Sequence, residues 1–156
     1  MQKEMIPLHE LKENILIKKI EKSSPLNFKG THRHNFYEIL YFTYVAEDQT
    51  HSIDFKKSKI ETDCIYMLKP GQVYEMELTT QKGYLIAVKS EYLNSFHPNF
   101  DSYLYFTLPD KIQMDSNDLN TVEQTILLIQ TELAKKSYRF NIELCKYTNN
   151  AMHSFF

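Results

Sequence analysis

The chain has 156 residues, 24% of them charged, and a formal net charge of −2. That length suits one domain with a proper core and is short for two. The even charge balance leaves no basic stripe of the kind that holds duplex DNA by its phosphates, which argues against DNA binding by this chain alone.

The first fourteen residues, "MQKEMIPLHELKEN", are too polar for a secretory signal and read as an N-terminal arm. "ILIKKIE" (15–21) reads as the first strand, closed by the turn-like "KSSP". "HNFYEILYFTYV" (34–45) is long and rich in aromatic and β-branched residues, and "EDQT" turns it into "HSIDF", where His51, Ile53 and Phe55 share a face. "CIYMLKPG" ends on Pro70-Gly71, a strong turn signal. "VYEMEL" alternates, with Tyr74, Met76 and Leu78 on one face and Glu75 and Glu77 on the other. "KGYLIAVK" is a further strand, with Tyr84, Ile86 and Val88 on one side. "SEYLNSFHP" predicts a short helical turn and "YLYFTL" (103–108) one more strand.

From Ser116 the period changes. Leu119, Val122, Ile126, Ile129 and Leu133 recur at steps of three and four, the seam of a heptad pattern, with Asp115, Ser116 and Asn117 as N-cap candidates. A second helical stretch carries Phe140, Leu144, Tyr147 and Ala151, and it stops at "HSFF" without a Gly, Asn or Pro terminator, as if the chain were cut there. The fold class is therefore mainly β within an α+β arrangement: an arm (1–14), a β-barrel or sandwich (15–114) and a C-terminal two-helix hairpin (115–156), all in one domain. Cys64 and Cys145 lie far apart and outside any CxxC pair, so they read as buried, reduced thiols of a cytoplasmic protein. No stretch reaches the roughly 20 apolar residues needed to cross a bilayer.

The chemistry concentrates in "THRHNFYEILYF" (31–42). On a regular strand His32, His34 and Glu38 share one face, while Arg33 and Asn35 point to solvent. Two imidazoles and a carboxylate facing inward are a donor set for a divalent metal, or hydrogen-bonding groups for a polar ligand. They are equally compatible with histidines satisfied by backbone or carboxylates at a barrel mouth. Tyr74, at the head of its inward face, is either a further polar contact or a core tyrosine, and His51 is a weaker pocket candidate. His9, His97 and His153 have no partners at ligand spacing and receive no role. No G-x-S-x-G elbow and no Gly-rich phosphate loop is present.

His32-x-His34-x₃-Glu38 resembles the first cupin motif, and "LKPGQVY" (68–74) resembles the second. In metal-binding cupins a histidine ends the second motif; here its place is taken by Tyr74. The glycine that normally follows the first motif's glutamate is also missing, and Val45 stands near its position. More narrowly, "HRHNFYEILYF", "IDF", "YMLKPGQV", "KGYLIAV" with "EYL", and two terminal helices resemble the N-terminal half of AraC-type transcription regulators. The resemblance implies a cupin double-stranded β-helix, or jelly-roll barrel, that senses a small polar effector such as a sugar-like metabolite, and a helix that pairs two subunits. It also implies a separate helix-turn-helix domain for DNA, which these residues lack.

On this reading His32, His34, Glu38, Tyr74 and His51 contact the effector, and the arm before Ile15 closes over it. Leu119, Val122, Ile126, Ile129 and Leu133 lie at or near a homodimer contact, with Leu127 and Leu128 widening the apolar surface. No cofactor is expected. The competing expectation is a small metal-dependent cupin enzyme, of isomerase or dioxygenase type, using His32, His34 and Glu38 as ligands.

Overall fold

Strands β1 (Leu8–His9), β2 (Ile15–Ile20), β3 (His32–His34), β4 (Phe36–Tyr44), β5 (Thr50–Ile53), β6 (Lys56–Lys59), β7 (Cys64–Leu68), β8 (Val73–Met76), β9 (Lys82–Lys89) and β10 (Lys111–Gln113) dominate a computed structural model of the chain. Helices α1 (Ser90–Asn94), α2 (Phe100–Thr107) and α3 (Ser116–Lys135) follow the longer strands. The structure describes residues 6–21, 30–77 and 80–135. The chain divides into two units between Gln113 and Met114.

The first unit is two five-stranded sheets, ordered β1-β3-β8-β5-β6 and β10-β7-β4-β9-β2. All pairings are antiparallel except β1 with β3. Their facing sides bury one apolar cluster: Phe36, Leu40 and Phe42 of β4, Cys64, Tyr66 and Leu68 of β7, and Leu85 and Ala87 of β9 meet Tyr74 and Met76 of β8. Leu11 joins this cluster from the arm. The molecule is thus mainly β with a C-terminal helix, as the alternation predicts. All five residues of β7 are buried. On the face away from the core, the Tyr37 hydroxyl donates to the Asp101 carbonyl of α2 at 2.9 Å, and Leu104 of α2 is buried.

Two expectations fail. "YLYFTL" is not a strand but most of α2, which starts after Asn99 in the left-handed conformation (φ 67°), with the Asn94 side chain accepting from the Asp101 amide. Its aromatics suit a strand by propensity, yet the buried residues of the stretch are Leu104 and Leu108 and Phe106 is 83% exposed, so the aromatics do not set the packing. Phe55 does not share a face with His51 and Ile53: it sits in the β5–β6 turn at φ 65° and is 74% exposed.

In the second unit, Asp115 is the N-cap of α3. Its carboxylate accepts from the amides of Asn117 (2.8 Å) and Asp118 (2.9 Å), while Asp118 accepts from the Asp115 amide, a reciprocal capping box. Cys145, His153 and the second helical stretch with Phe140, Leu144, Tyr147 and Ala151 lie outside the described residues, as does Leu78. Among the described residues, no helix is long and apolar enough to cross a membrane.

Candidate functional site

β3 carries His32 and His34 inward and Arg33 outward, as a strand's two-residue period requires. The strand breaks at Asn35, but alternation resumes in β4 with Phe36, Glu38, Leu40 and Phe42 all buried. The Pro70-Gly71 turn is tied directly to this strand, because the Gly71 amide donates to the His34 carbonyl at 2.8 Å. β8 leaves that turn in a register that sets Tyr74 opposite His32 and, on its other side, opposite Ile53. The adjacent pair is His51 with Met76.

The polar side chains form a continuous row between the sheets. Glu38 Oε2 lies 3.6 Å from His34 Nε2, and the His34 ring is 5.0 Å from that of His32. His32 meets Tyr74 edge-on at 5.9 Å, Tyr74 meets His51 at 5.8 Å, and His51 meets Tyr66 at 4.6 Å. His32 Nδ1 lies 2.9 Å from the Gly30 carbonyl, which can only accept, so Nδ1 carries the proton and Nε2 keeps its lone pair. The Tyr74 hydroxyl donates to the Met76 sulfur at 3.2 Å. Among the described residues, His34 Nδ1, Glu38 Oε1 and His51 Nδ1 are buried without a hydrogen-bond partner. Such groups are uncommon, since each forfeits its hydration without compensation.

Burial sets the charges of this row. It raises the Glu38 carboxyl to about 8 and lowers His34 to about 3, so the two meet as neutral groups near pH 7 and form no ion pair. Burial likewise lowers His51 to about 4, helped by the Lys111 charge, and it lowers His32 against the opposing pull of the Gly30 carbonyl. Tyr74 is held well above its ordinary value by burial, then by Glu38 and Tyr66.

At the His51 end the row opens into a cavity of about 300 Å³, lined by Tyr66 and by the polar or charged Lys59, Glu61, Gln72 and Lys111. Lys111 and Glu61 are paired, and Tyr66 accepts from the Glu61 amide at 2.9 Å. Of the five residues singled out from the sequence, the structure brings all into one row, but only His51 reaches this cavity; Tyr74 is 0% exposed.

A residue that the sequence left without a role joins the other end. β1 lies parallel to β3 with His9 beside His34, and the His9 ring stacks on His32 at 4.8 Å. One ligating atom from each of His9, His32 and His34 falls within 4.8 Å of the others. Nothing in the local pattern around His9 signals this, because a two-residue parallel bridge has no periodicity of its own.

In α3, Val122, Ile126 and Ile129 are buried within the single chain, and Leu119 and Leu133 are half-buried. The large apolar residues left open on this helix are Leu127 (57%) and Leu128 (44%). No protein-family model matches the chain, and no curated protein matches it either.

Proposed function

We propose that this chain is the effector-sensing and dimerising part of an AraC-type regulator, its two-sheet unit a cupin jelly roll and its DNA-reading unit a separate helix-turn-helix domain. The observation that carries the reading is the row from Glu38 to His51, which presents buried, partly unsatisfied polar atoms and ends at a cavity of about 300 Å³ lined by both polar and apolar side chains. Cavities of that size with a few convergent polar groups suit a small polar molecule. Antiparallel sheets facing one another, with the His32 strand paired to the strand after Pro70-Gly71, support the jelly-roll assignment.

Tyr74 weighs against the enzyme alternative. It is fully buried between His32 and His51 with its hydroxyl committed to Met76, so the position that would hold a third imidazole is filled by a packed ring. Effector binding in the cavity acts by favouring one of two arrangements of arm, sheets and helix.

A thermal-shift screen of the chain against small polar metabolites tests the reading. An effector should raise the melting temperature, and His51→Ala should abolish the increment. Metal-dependent turnover of a small substrate, lost on His34→Ala, would overturn it in favour of the enzyme.

A further inference from the structure

We propose that His9, His32 and His34 bind one divalent transition-metal cation of the zinc class, which clasps the N-terminal strand β1 onto β3. The proposal stands on these side chains alone and does not depend on the regulator reading. Three imidazoles drawn from two strands each place a ligating atom within 4.8 Å of the rest. In a tetrahedral site at the usual metal–nitrogen distance, the nitrogens sit about 3.3 Å apart, so the rings must close by roughly 1.5 Å. His9 is exposed and can supply that movement by swinging its side chain.

The surroundings are prepared for an ion. The Gly30 carbonyl fixes the His32 tautomer and leaves Nε2 as the ligand, the outer contact that metal-bound histidines usually make. His34 is 2% exposed and keeps a buried nitrogen with no hydrogen-bond partner among the described residues. Glu38, 3.6 Å away, is placed to accept from the His34 nitrogen that does not face the ion. An all-imidazole set selects zinc, cobalt, nickel or copper over magnesium and calcium, which require oxygen ligands. This set differs from the one spacing alone suggests, because His9 stands at the ion and Glu38 behind it.

The clasp also has something to hold. β1 is two residues long with both side chains exposed, and the backbone bonds beside it are Arg33 amide to Pro7 carbonyl (2.8 Å) and Asn35 amide to His9 carbonyl (3.3 Å). So short a ladder opens readily, and a metal bond through His9 would tie its closure to the ion.

The test is calorimetric titration of the untagged, chelator-treated chain with zinc, beside His9→Gln, with His97→Gln as a control for adventitious surface binding. We expect one zinc per chain and at least a tenfold loss of affinity in His9→Gln, whose metal-free melting temperature is unchanged. His97→Gln should bind as the original does. Cobalt should give the intense visible bands of four-coordination, and zinc should slow tryptic cleavage after Lys12 in the original chain but not in His9→Gln. No stoichiometric zinc, or equal affinity in His9→Gln, would overturn the proposal; equal affinity that is lost in His34→Gln would move the ion to His32, His34 and Glu38.

Discussion

Tyr74 stands directly across the β3–β8 ladder from His32, the two rings 5.9 Å apart and nearly perpendicular. That pairing puts a phenol at the centre of the polar row and leaves its hydroxyl only a sulfur as acceptor. Sulfur accepts weakly, so Tyr74→Phe should cost no more than about 1 kcal/mol. Tyr74→Ala, which empties a fully buried site, should cost about 3–5 kcal/mol. Urea denaturation midpoints of the two variants check the contrast, and equal losses would show that the hydroxyl matters far more than its contact implies.

His51 makes stability depend on pH. Its folded-state value near 4 lies below the ordinary 6.5, so the unfolded chain takes up the proton first. The stability is fully present above about pH 6.5 and is lost as the pH falls towards 4, by up to about 3 kcal/mol. The groups around the ring are Tyr66 of β7, Tyr74 of β8, Lys111 of β10 and, lining the same cavity, Lys59 and Glu61. His51→Phe keeps an aromatic ring against both tyrosines and removes the titration. It should therefore lose less stability than the original chain between pH 7 and pH 4.5, measured by urea denaturation at each.

Two glycines should respond differently to alanine. A Cβ on Gly83 would lie 1.8 Å from the Tyr41 carbonyl oxygen in the β4–β9 ladder, so the strands must separate. Gly83→Ala should cost at least about 3 kcal/mol, a loss at the severe end for a single substitution. Gly71 has open space around its Cβ position but a φ of +88°, so Gly71→Ala should cost only about 1–2 kcal/mol. Thermal melts of both variants rank the two effects.

The proposed dimer is tested at Leu127 and Leu128, the exposed leucines of α3. Replacing both with lysine should leave the melting temperature of dilute protein nearly unchanged and shift light scattering from dimer to monomer. Ile126→Ala, in the buried stripe, should instead destabilise the fold by about 2–5 kcal/mol. An original chain that is monomeric at every concentration would remove the dimer from the proposal.

Much of this was legible in the chain itself, because strand faces and helix stripes are local patterns. The alternation through His32, His34 and Glu38 placed all three inward even across the break at Asn35, while the three-four spacing of Val122, Ile126 and Ile129, read as part of a dimer seam, falls on side chains buried within the chain. The Asp115 cap and the Pro70-Gly71 turn are likewise written in a few consecutive residues.

What tertiary structure decided is which distant residues meet. "YLYFTL" became most of α2 and its C-cap, with Leu104 and Leu108 buried and its aromatics left exposed against their strand preference. His9 reached His32 through a parallel bridge between segments more than twenty residues apart, and Tyr74 faced His32 only because the turn at Gly71 set the register of β8. Local sequence determines which way a side chain points. The partner it meets depends on the pairing of whole strands, an energy summed over many residues and visible in none of them singly.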